Sequence, residues 1–201
     1  MSKLPVLTHW GWSSLIHDAL EANHEVVFPP HDQDSKANGT MDGLLVIHVR
    51  RGDFSQHCKF LASRNSDWSA FNSFPDLPDK YDQVHSDPRL SSENYKTYMD
   101  HCYPSIEQIV DKVKRVREES KYPLKYIYIM TNGANSWVTD VNAALLELGG
   151  WEHIGSSRDL SLTWEQKYVA QALDMLVAQK AQVFIGNGVS FVKILTTCIE
   201  I

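Results

Sequence analysis

A continuous apolar run over residues 44–49, Leu-Leu-Val-Ile-His-Val, restricts the folds open to this chain more than any other feature. A run of this length without polar alternation is typical of a strand that is buried on both faces. Such strands occur in parallel sheets that carry helices above and below. The run therefore predicts an α/β fold built around this strand.

Strand and helix patterns alternate after this run, which predicts a right-handed, doubly wound, mainly parallel Rossmann-like sheet. The further strands are predicted at residues 124–130, 151–154 and 183–185. The helices are predicted at residues 93–119, before Gly149-Gly150, at residues 164–180 and from Val189 onward. Elsewhere, residues 15–20 predict a short helix, residues 26–28 a short strand, and residues 51–92 a long loop.

The composition argues against several classes of protein. The 201 residues include 19 Lys and Arg against 25 Asp and Glu, a net charge of −6, whereas a nucleic-acid-binding module needs a basic face. No segment is long and apolar enough to span a bilayer, and the first five residues lack the apolar core of a signal peptide. Three cysteines are too few for a disulfide scaffold, so we expect packing to stabilise this domain.

The first long strand ends in H-V-R-R-G-D, residues 48–53. Ligands of open α/β sheets bind at the carboxyl ends of the strands, and side chains alternate along a strand. Only one of Arg50 and Arg51 is therefore expected to enter the ligand crevice. That guanidinium requires an anion there, unless Asp53 supplies the charge and the pair only braces a loop. An Arg-Gly-Asp adhesion motif is disfavoured because the tripeptide begins at a strand end.

The last strand runs into F-I-G-N-G-V-S-F, residues 184–191. Two glycines allow the backbone to approach a ligand closely, and a helix that begins near Ser190 would direct free N–H groups at the same crevice. The alternative is a plain turn with Ser190 as the helix N-cap. Upstream, Asp174 lies in a predicted helix. Its carboxylate is either solvated or accepts two parallel donors, such as N1–H and the amino group of guanine.

These motifs together resemble the GDP-fucose protein O-fucosyltransferase-like family, including its fungal members. The likeness rests on H-V-R-R-G-D-F at residues 48–54, Y-I-M-T-N-G at residues 128–133, and the stretch from Asp174-Met175 to the F-I-G-N segment. The three motifs follow one another in order between about Leu44 and Phe191. H-x-R-R-G-D followed at this distance by Asp174 and, after nine further residues, F-I-G-N is fairly specific, whereas either piece alone is not.

The resemblance implies an α/β domain that is one half of a GT-B glycosyltransferase and holds GDP-fucose as donor without a metal or another cofactor. Carried over residue by residue, it gives Arg50 the catalytic role of holding the β-phosphate, and it gives Asp174 the role of reading guanine. The donor-binding residues that it implies are His48, Arg50, Asp53, Asn132, Asp174, Ser190 and Phe191. It also implies the lumen of the endoplasmic reticulum or Golgi as the compartment.

Relatives of this family carry an acceptor-binding domain ahead of the H-x-R-R-G-D strand. Here only a short segment precedes that strand, so we interpret residues 1–42 as the remnant of an N-terminal region and residues 43–201 as the GDP-sugar-binding domain. The acceptor, a protein or a glycan, would then be bound mostly by the missing half.

Three functions stay open at this point. The first is transfer of fucose, with inversion, to a hydroxyl acceptor such as a protein Ser or Thr. The second is a catalytically impaired pseudoenzyme that binds a nucleotide sugar or a glycan. The third is an interaction module, whose mark would be an Arg50 that is already neutralised by Asp53.

Weaker motifs have bland alternatives. Asp32-Gln33-Asp34 matches a metal-binding D-x-D pattern, but it lies in a loop before the first long strand, which favours chance. The His-Cys pairs at residues 57–58 and 101–102 allow a zinc site, although a disulfide in an oxidising compartment is favoured and would leave Cys198 free. Asn38-Gly39-Thr40 is a glycosylation sequon. The aromatic residues that either pack the long loop or line an acceptor groove are Trp68, Phe71 and Phe74.

Overall fold

A parallel sheet forms the centre of the domain in the computed structural model, which describes residues 11–28, 39–64, 91–186 and 198–200. Its strands are β1 (Met41–His48), β2 (Tyr126–Met130), β3 (His153–Ser156), β4 (Ala181–Gly186) and β5 (Cys198–Glu200). They lie in the order β3-β2-β1-β4-β5, and every neighbouring pair is parallel. This arrangement confirms the predicted α/β fold with a doubly wound parallel sheet.

Helices cover both faces of this sheet. They are α1 (Ser14–Ala22), α2 (His24–Val27), α3 (Phe54–Ser63), α4 (Ser91–Cys102), α5 (Ile106–Glu119), α6 (Asn135–Glu147), α7 (Trp164–Tyr168) and α8 (Ala170–Lys180). None of the helices within the described ranges is long and apolar enough to cross a membrane.

The apolar run of β1 is explained by burial on both sides. Leu44 and Val46 pack in one core cluster with residues of α1, α2 and α8, which also contains Tyr128. Leu45 and Ile47 pack in a second cluster on the opposite face with residues of α5 and α6. Because neither face of β1 meets solvent, its sequence shows no alternation of polar and apolar residues.

Several predicted elements were wrong in detail. Residues 26–28 were expected to form a strand, but α2 covers most of this segment, and its first turn is closed by hydrogen bonds to the carbonyl oxygen of Asn23. The long loop after β1 begins with α3. The C-terminal part, expected as a helix from Val189, contains strand β5 at residues 198–200, while residues 187–197 lie outside the described part.

Two predicted helices are each divided in the structure. The helix expected at residues 93–119 is interrupted at Pro104, because proline has no N–H and restricts the residue before it. Ser105 then begins α5 with a capping box that it forms with Gln108. The helix expected at residues 164–180 is divided at Val169, which lies between α7 and α8 with non-helical backbone angles.

The strand order fixes where a ligand crevice lies. β1 has β2 on one side and β4 on the other, and His48 at its end is in register with Met130 and with Gly186. The chain leaves β1 towards β2 and β3 and then crosses to β4 on the other side. The carboxyl ends of β1 and β4 therefore form the topological switch point, where ligands of such sheets bind.

The N-terminal helices share the core of this domain. Ile16 and Leu20 of α1 and Val27 of α2 are buried in the same cluster as Leu44. The boundary between residues 42 and 43 stays a prediction. The packing shows that the segment before it contributes helices that cover one face of the sheet.

Candidate functional site

The two consecutive arginines after β1 point to different surroundings, as the alternation of side chains predicts. Arg51 is only 5% exposed, and its guanidinium lies between the rings of Tyr103 and Trp137, 4.3 and 4.4 Å from their centres. Its Nη2 donates a hydrogen bond to the carbonyl oxygen of Pro104. Burial lowers the pKa of Arg51 below its usual range. Arg51 is thus part of the protein interior.

Arg50, in contrast, is exposed, and its guanidinium lies 5.0 Å from the centre of the Phe54 ring. Within the described ranges, neither arginine forms an ion pair with Asp53. Asp53 is exposed at the N-cap of α3, and its side chain makes no capping hydrogen bond. The charge of Arg50 is therefore available to an anion. The buried guanidinium of Arg51 also argues against the adhesion motif.

His48 lies at the end of β1, between β2 and β4. Burial, together with the nearby positive charge of Arg50, lowers the pKa of His48 to about 4. The imidazole is therefore neutral at pH 7, so it adds no positive charge to that of Arg50.

The loops after β1 and β2 are joined by hydrogen bonds. The N–H of Arg51 donates to Oδ1 of Asn132 at 2.7 Å, and Oγ1 of Thr131 donates to the carbonyl oxygen of Val49 at 2.7 Å. Gly52 next to this contact has φ +66°, a left-handed conformation that favours glycine. Asn132 thereby fixes the turn from which Arg50 projects.

The carboxylate of Asp174, in α8, accepts hydrogen bonds from hydroxyl groups in two other parts of the chain. Oη of Tyr128 donates to its Oδ1 at 2.8 Å, and Oγ of Ser157 lies 2.9 Å from both Oδ1 and Oδ2. Burial raises the pKa of Asp174 to about 6, although both hydroxyl groups act in the opposite direction. The carboxylate is therefore ionised at pH 7 and has defined partners, unlike a solvated carboxylate on the outer face of a helix.

His48 and Asp174 belong to the same face of the sheet. Alternation along β1 places His48 on the side of Val46, whose core cluster also holds Tyr128, the partner of Asp174. Arg51 packs on Trp137, which lies against the opposite cluster. The structure thus divides the predicted residues: Arg51 turns to one face, while Asp174 and the His48 imidazole beside Arg50 lie on the other.

The family of this chain is shown by a match that extends over most of its length. The model of the GDP-fucose protein O-fucosyltransferase family matches residues 20–196. The chain belongs to this family. No curated protein sequence matches the chain.

Solved structures of POFUT1 show the same fold over part of their length. The crystal structure of POFUT1 in complex with GDP aligns with a TM-score of 0.51 at 14% identity, over 90% of this chain and 42% of that chain. A second crystal form of POFUT1 with GDP aligns with a TM-score of 0.50 at 13% identity, over 90% of this chain and 41% of that chain. The chain therefore spans less than half the length of these relatives, and it is a fucosyltransferase-like domain with part of a GT-B fold.

Some residues that family resemblance assigns to the donor site lie outside the described residues. Ser190 and Phe191 belong to this group, and so does the helix expected to begin near them. The D-x-D pattern at residues 32–34 and the sequon residue Asn38 also lie there. The loop aromatics that lie there as well are Trp68, Phe71 and Phe74. Their roles stay predictions.

A disulfide joins Cys58 of α3 to Cys102 of α4, with a Cα–Cα distance of 5.8 Å. Both cysteines are fully buried against Ala62 and Tyr98. Because both sulfur atoms are used in this bond, the two His-Cys pairs have no thiolates left to bind zinc. No cluster of three or more metal-ligating side chains occurs in the described part of the chain.

Sequence reasoning gave no role to the hydroxyl groups of Tyr128 and Ser157 that hold Asp174. Ser157 is the first residue after β3, and a hydroxyl directly after a buried strand is a signal that could have identified it. No sequence signal pointed to the contacts of Arg51 with Tyr103 and Trp137, because both rings come from segments far along the chain.

Proposed function

We propose that this chain is the donor-binding half of a fucosyltransferase that binds GDP-fucose and transfers fucose, with inversion, to a hydroxyl group of a protein or glycan acceptor. Family membership supports the reaction class, and the fold supports the nucleotide-sugar half. The observation that carries the proposal is an exposed Arg50, with no ion pair to Asp53, at the switch point of a parallel sheet.

In this proposal Arg50 binds the β-phosphate of the donor. Negative charge develops on that phosphate as the bond to fucose C1 breaks and the acceptor hydroxyl attacks from the opposite side. A preorganised donor at such a position contributes about 3–4 kcal/mol to stabilisation of the transition state. Because the guanidinium supplies the positive charge, we expect activity without an added divalent metal. Ser190 and Phe191 are proposed as further contacts of the donor.

Asp174 reads the guanine base in this proposal. Guanine presents N1–H and the exocyclic amino group as parallel donors, and one carboxylate accepts both. His48 at the end of β1, Asp53 in the turn after β1 and Asn132 in the turn after β2 are proposed as further contacts of the donor.

A pseudoenzyme that binds the nucleotide sugar without turnover is the second candidate, since solved structures that share this fold hold GDP, which supports binding of the donor more directly than its turnover. Measurement of GDP release from GDP-fucose, with and without hydroxyl acceptors, separates the two. Turnover, including slow hydrolysis, indicates an enzyme; tight binding without turnover indicates the pseudoenzyme.

The compartment that we propose is the lumen of the endoplasmic reticulum or Golgi. The disulfide between Cys58 and Cys102 supports this, because disulfides form and persist in oxidising compartments.

Calorimetric titration with GDP and with guanosine tests the phosphate role. Arg50→Ala should weaken GDP binding about 10- to 100-fold, the effect of removing a charge-assisted hydrogen bond, and should leave guanosine binding unchanged. Arg115→Ala, which removes an exposed arginine from α5, is the matched control and should bind both ligands normally. Equal losses for GDP and guanosine would contradict the role of Arg50, and no binding of GDP at millimolar concentration would overturn the proposed function.

Exchange of the carboxylate tests the guanine role. Asp174→Asn replaces one acceptor by a donor, which no longer suits guanine but matches xanthine, whose N1–H lies beside a carbonyl oxygen. The variant should therefore lose affinity for GDP and gain affinity for xanthosine diphosphate. An unchanged preference for GDP would remove Asp174 from the base site.

A further inference from the structure

We infer that Tyr128 and Ser157 are positioning residues that hold the Asp174 carboxylate in the orientation that reads both donors of guanine, so that they determine selectivity for guanine over hypoxanthine. The inference rests on the proposed function, because it concerns the base of the same nucleotide. It concerns two side chains that touch Asp174 and need not touch the nucleotide.

The two hydroxyl groups come from rigid parts of the fold. Tyr128 is in the middle of β2, in register with Val46 on one side and Gly155 on the other, and its ring is fully buried. Ser157 continues the β2–β3 ladder, since its N–H donates to the carbonyl oxygen of Ile129 at 2.9 Å. Its Oγ also accepts the N–H of Thr131 at 3.2 Å. Asp174 is thus oriented by the sheet and does not depend on its own helix alone.

The number of hydrogen bonds leaves room for a base. Tyr128 gives one proton to Oδ1, and Oγ of Ser157, which has a single proton, lies 2.9 Å from Oδ1 and Oδ2 and 3.3 Å from the carbonyl oxygen of Ile129. An ionised carboxylate accepts about four hydrogen bonds, so two acceptor directions remain for a ligand, and there is one on each oxygen when the Ser157 proton is directed at Oδ2. Asp174 as a whole residue keeps part of its surface exposed.

A fixed carboxylate plane matters because guanine needs both oxygens at once. GDP presents N1–H and the amino group side by side, whereas inosine diphosphate lacks the amino group and occupies only one oxygen. A carboxylate that rotates freely serves one donor nearly as well as an oriented one does, but it serves two parallel donors less well. Loss of either hydroxyl should therefore weaken GDP binding more than inosine diphosphate binding.

Titration calorimetry with GDP and inosine diphosphate tests this inference on four variants of the full chain. Tyr128→Phe and Ser157→Ala each remove one hydroxyl and keep the packing of the rest of the side chain. Ser157→Thr restores a hydroxyl. Tyr126→Phe is the matched control, because Tyr126 lies two residues earlier on the same strand and its hydroxyl donates to Glu152 at 3.1 Å, away from Asp174.

The wild-type chain should prefer GDP over inosine diphosphate about tenfold, the value of one charge-assisted hydrogen bond. Tyr128→Phe and Ser157→Ala should each reduce this preference to about threefold or less, while Ser157→Thr and Tyr126→Phe should keep it. GDP binding with an unchanged preference in both deletion variants would overturn the positioning role and leave the proposed function intact. Absence of GDP binding in the wild-type chain would overturn both.

Discussion

The guanidinium of Arg51 lies 4.4 Å from the centre of the Trp137 ring, and this contact stabilises the core beside β1. The ring of Tyr103 covers its other face, and its Nη2 holds the carbonyl oxygen of Pro104, at the break between α4 and α5. Arg51 and its neighbour Arg50 therefore have separable roles: one stabilises the fold, and the other is available to a ligand.

Substitution of the two arginines should separate stability from binding. Arg51→Ala removes two cation–π contacts and a buried hydrogen bond, so the free energy of unfolding should fall by about 3 kcal/mol. Arg50→Ala removes an exposed side chain and should change it by no more than about 0.5 kcal/mol. Urea denaturation of both variants checks this. Equal destabilisation by the two changes would show that Arg50 also belongs to the core.

Removal of the disulfide should destabilise the link between α3 and α4. The bond joins cysteines that are 44 residues apart, and the chain-entropy relation gives about 4 kcal/mol for a loop of this length. The double variant Cys58→Ala, Cys102→Ala should lose about 3–4 kcal/mol of unfolding free energy, measured in urea. Cys198→Ser removes the cysteine outside this bond and is the control for the thiol count, which should then be zero before reduction and two after it. Thiol titration of the unfolded chain should find one free thiol before reduction and three after it; three before reduction would refute the bond.

Two buried groups should make opposite contributions to the pH dependence of stability. The pKa of Asp174 is raised to about 6 in the folded chain, so this group favours folding at low pH, and its contribution is lost as the pH rises from about 4 to 6. The pKa of His48 is lowered to about 4, so its contribution is present above pH 6.5 and is lost as the pH falls towards 4. Each is on the order of 3 kcal/mol, and in the wild type they largely cancel.

Single variants should reveal the two opposite contributions to the pH dependence of stability. Relative to the wild type, Asp174→Asn should gain stability as the pH rises from 4 to 6, because it lacks the cost of a buried carboxylate. His48→Gln should lose relative stability over the range from 4 to 6.5. Urea denaturation at pH 4, 5, 6 and 7 gives both differences, and contributions of unrelated groups cancel in them. Slopes of the same sign in both variants would contradict the assignment.

Much of the sheet could be predicted because the strands are buried on both faces. The apolar runs at residues 124–130 and 183–185 overlap with β2 and β4, since burial dictates composition directly. Strand β5 could not be found this way, because Ile199 becomes a strand residue only by pairing with Ile185. Periodicity also continued across Pro104, since a pattern of apolar residues does not register the missing N–H of one proline.

The candidate site was predictable in its residue types but not in its geometry. Alternation showed that Arg50 and Arg51 diverge, but the choice between them depends on the ring of Trp137, which is remote in sequence. Asp174 stood out as a carboxylate in an apolar helix, yet its hydroxyl partners come from strand β2 and from the residue that follows β3. Contacts of this kind exist only after the chain has folded, so local sequence carries no direct signal of them.

Close packing between α2 and β3 should make Gly155 intolerant of any side chain. A Cβ at this position would collide with the carbonyl oxygen of Val26, which also lies 2.9 Å from Nε2 of His153. Gly155→Ala should therefore push α2 away from the sheet and uncover Val27, at a cost of about 3 kcal/mol in unfolding free energy. Gly11→Ala is the control, because a Cβ there meets no atom within 4 Å. Thermal and urea unfolding of both variants measure the difference, and equal stability of the two would show that α2 does not rest on β3 in this way.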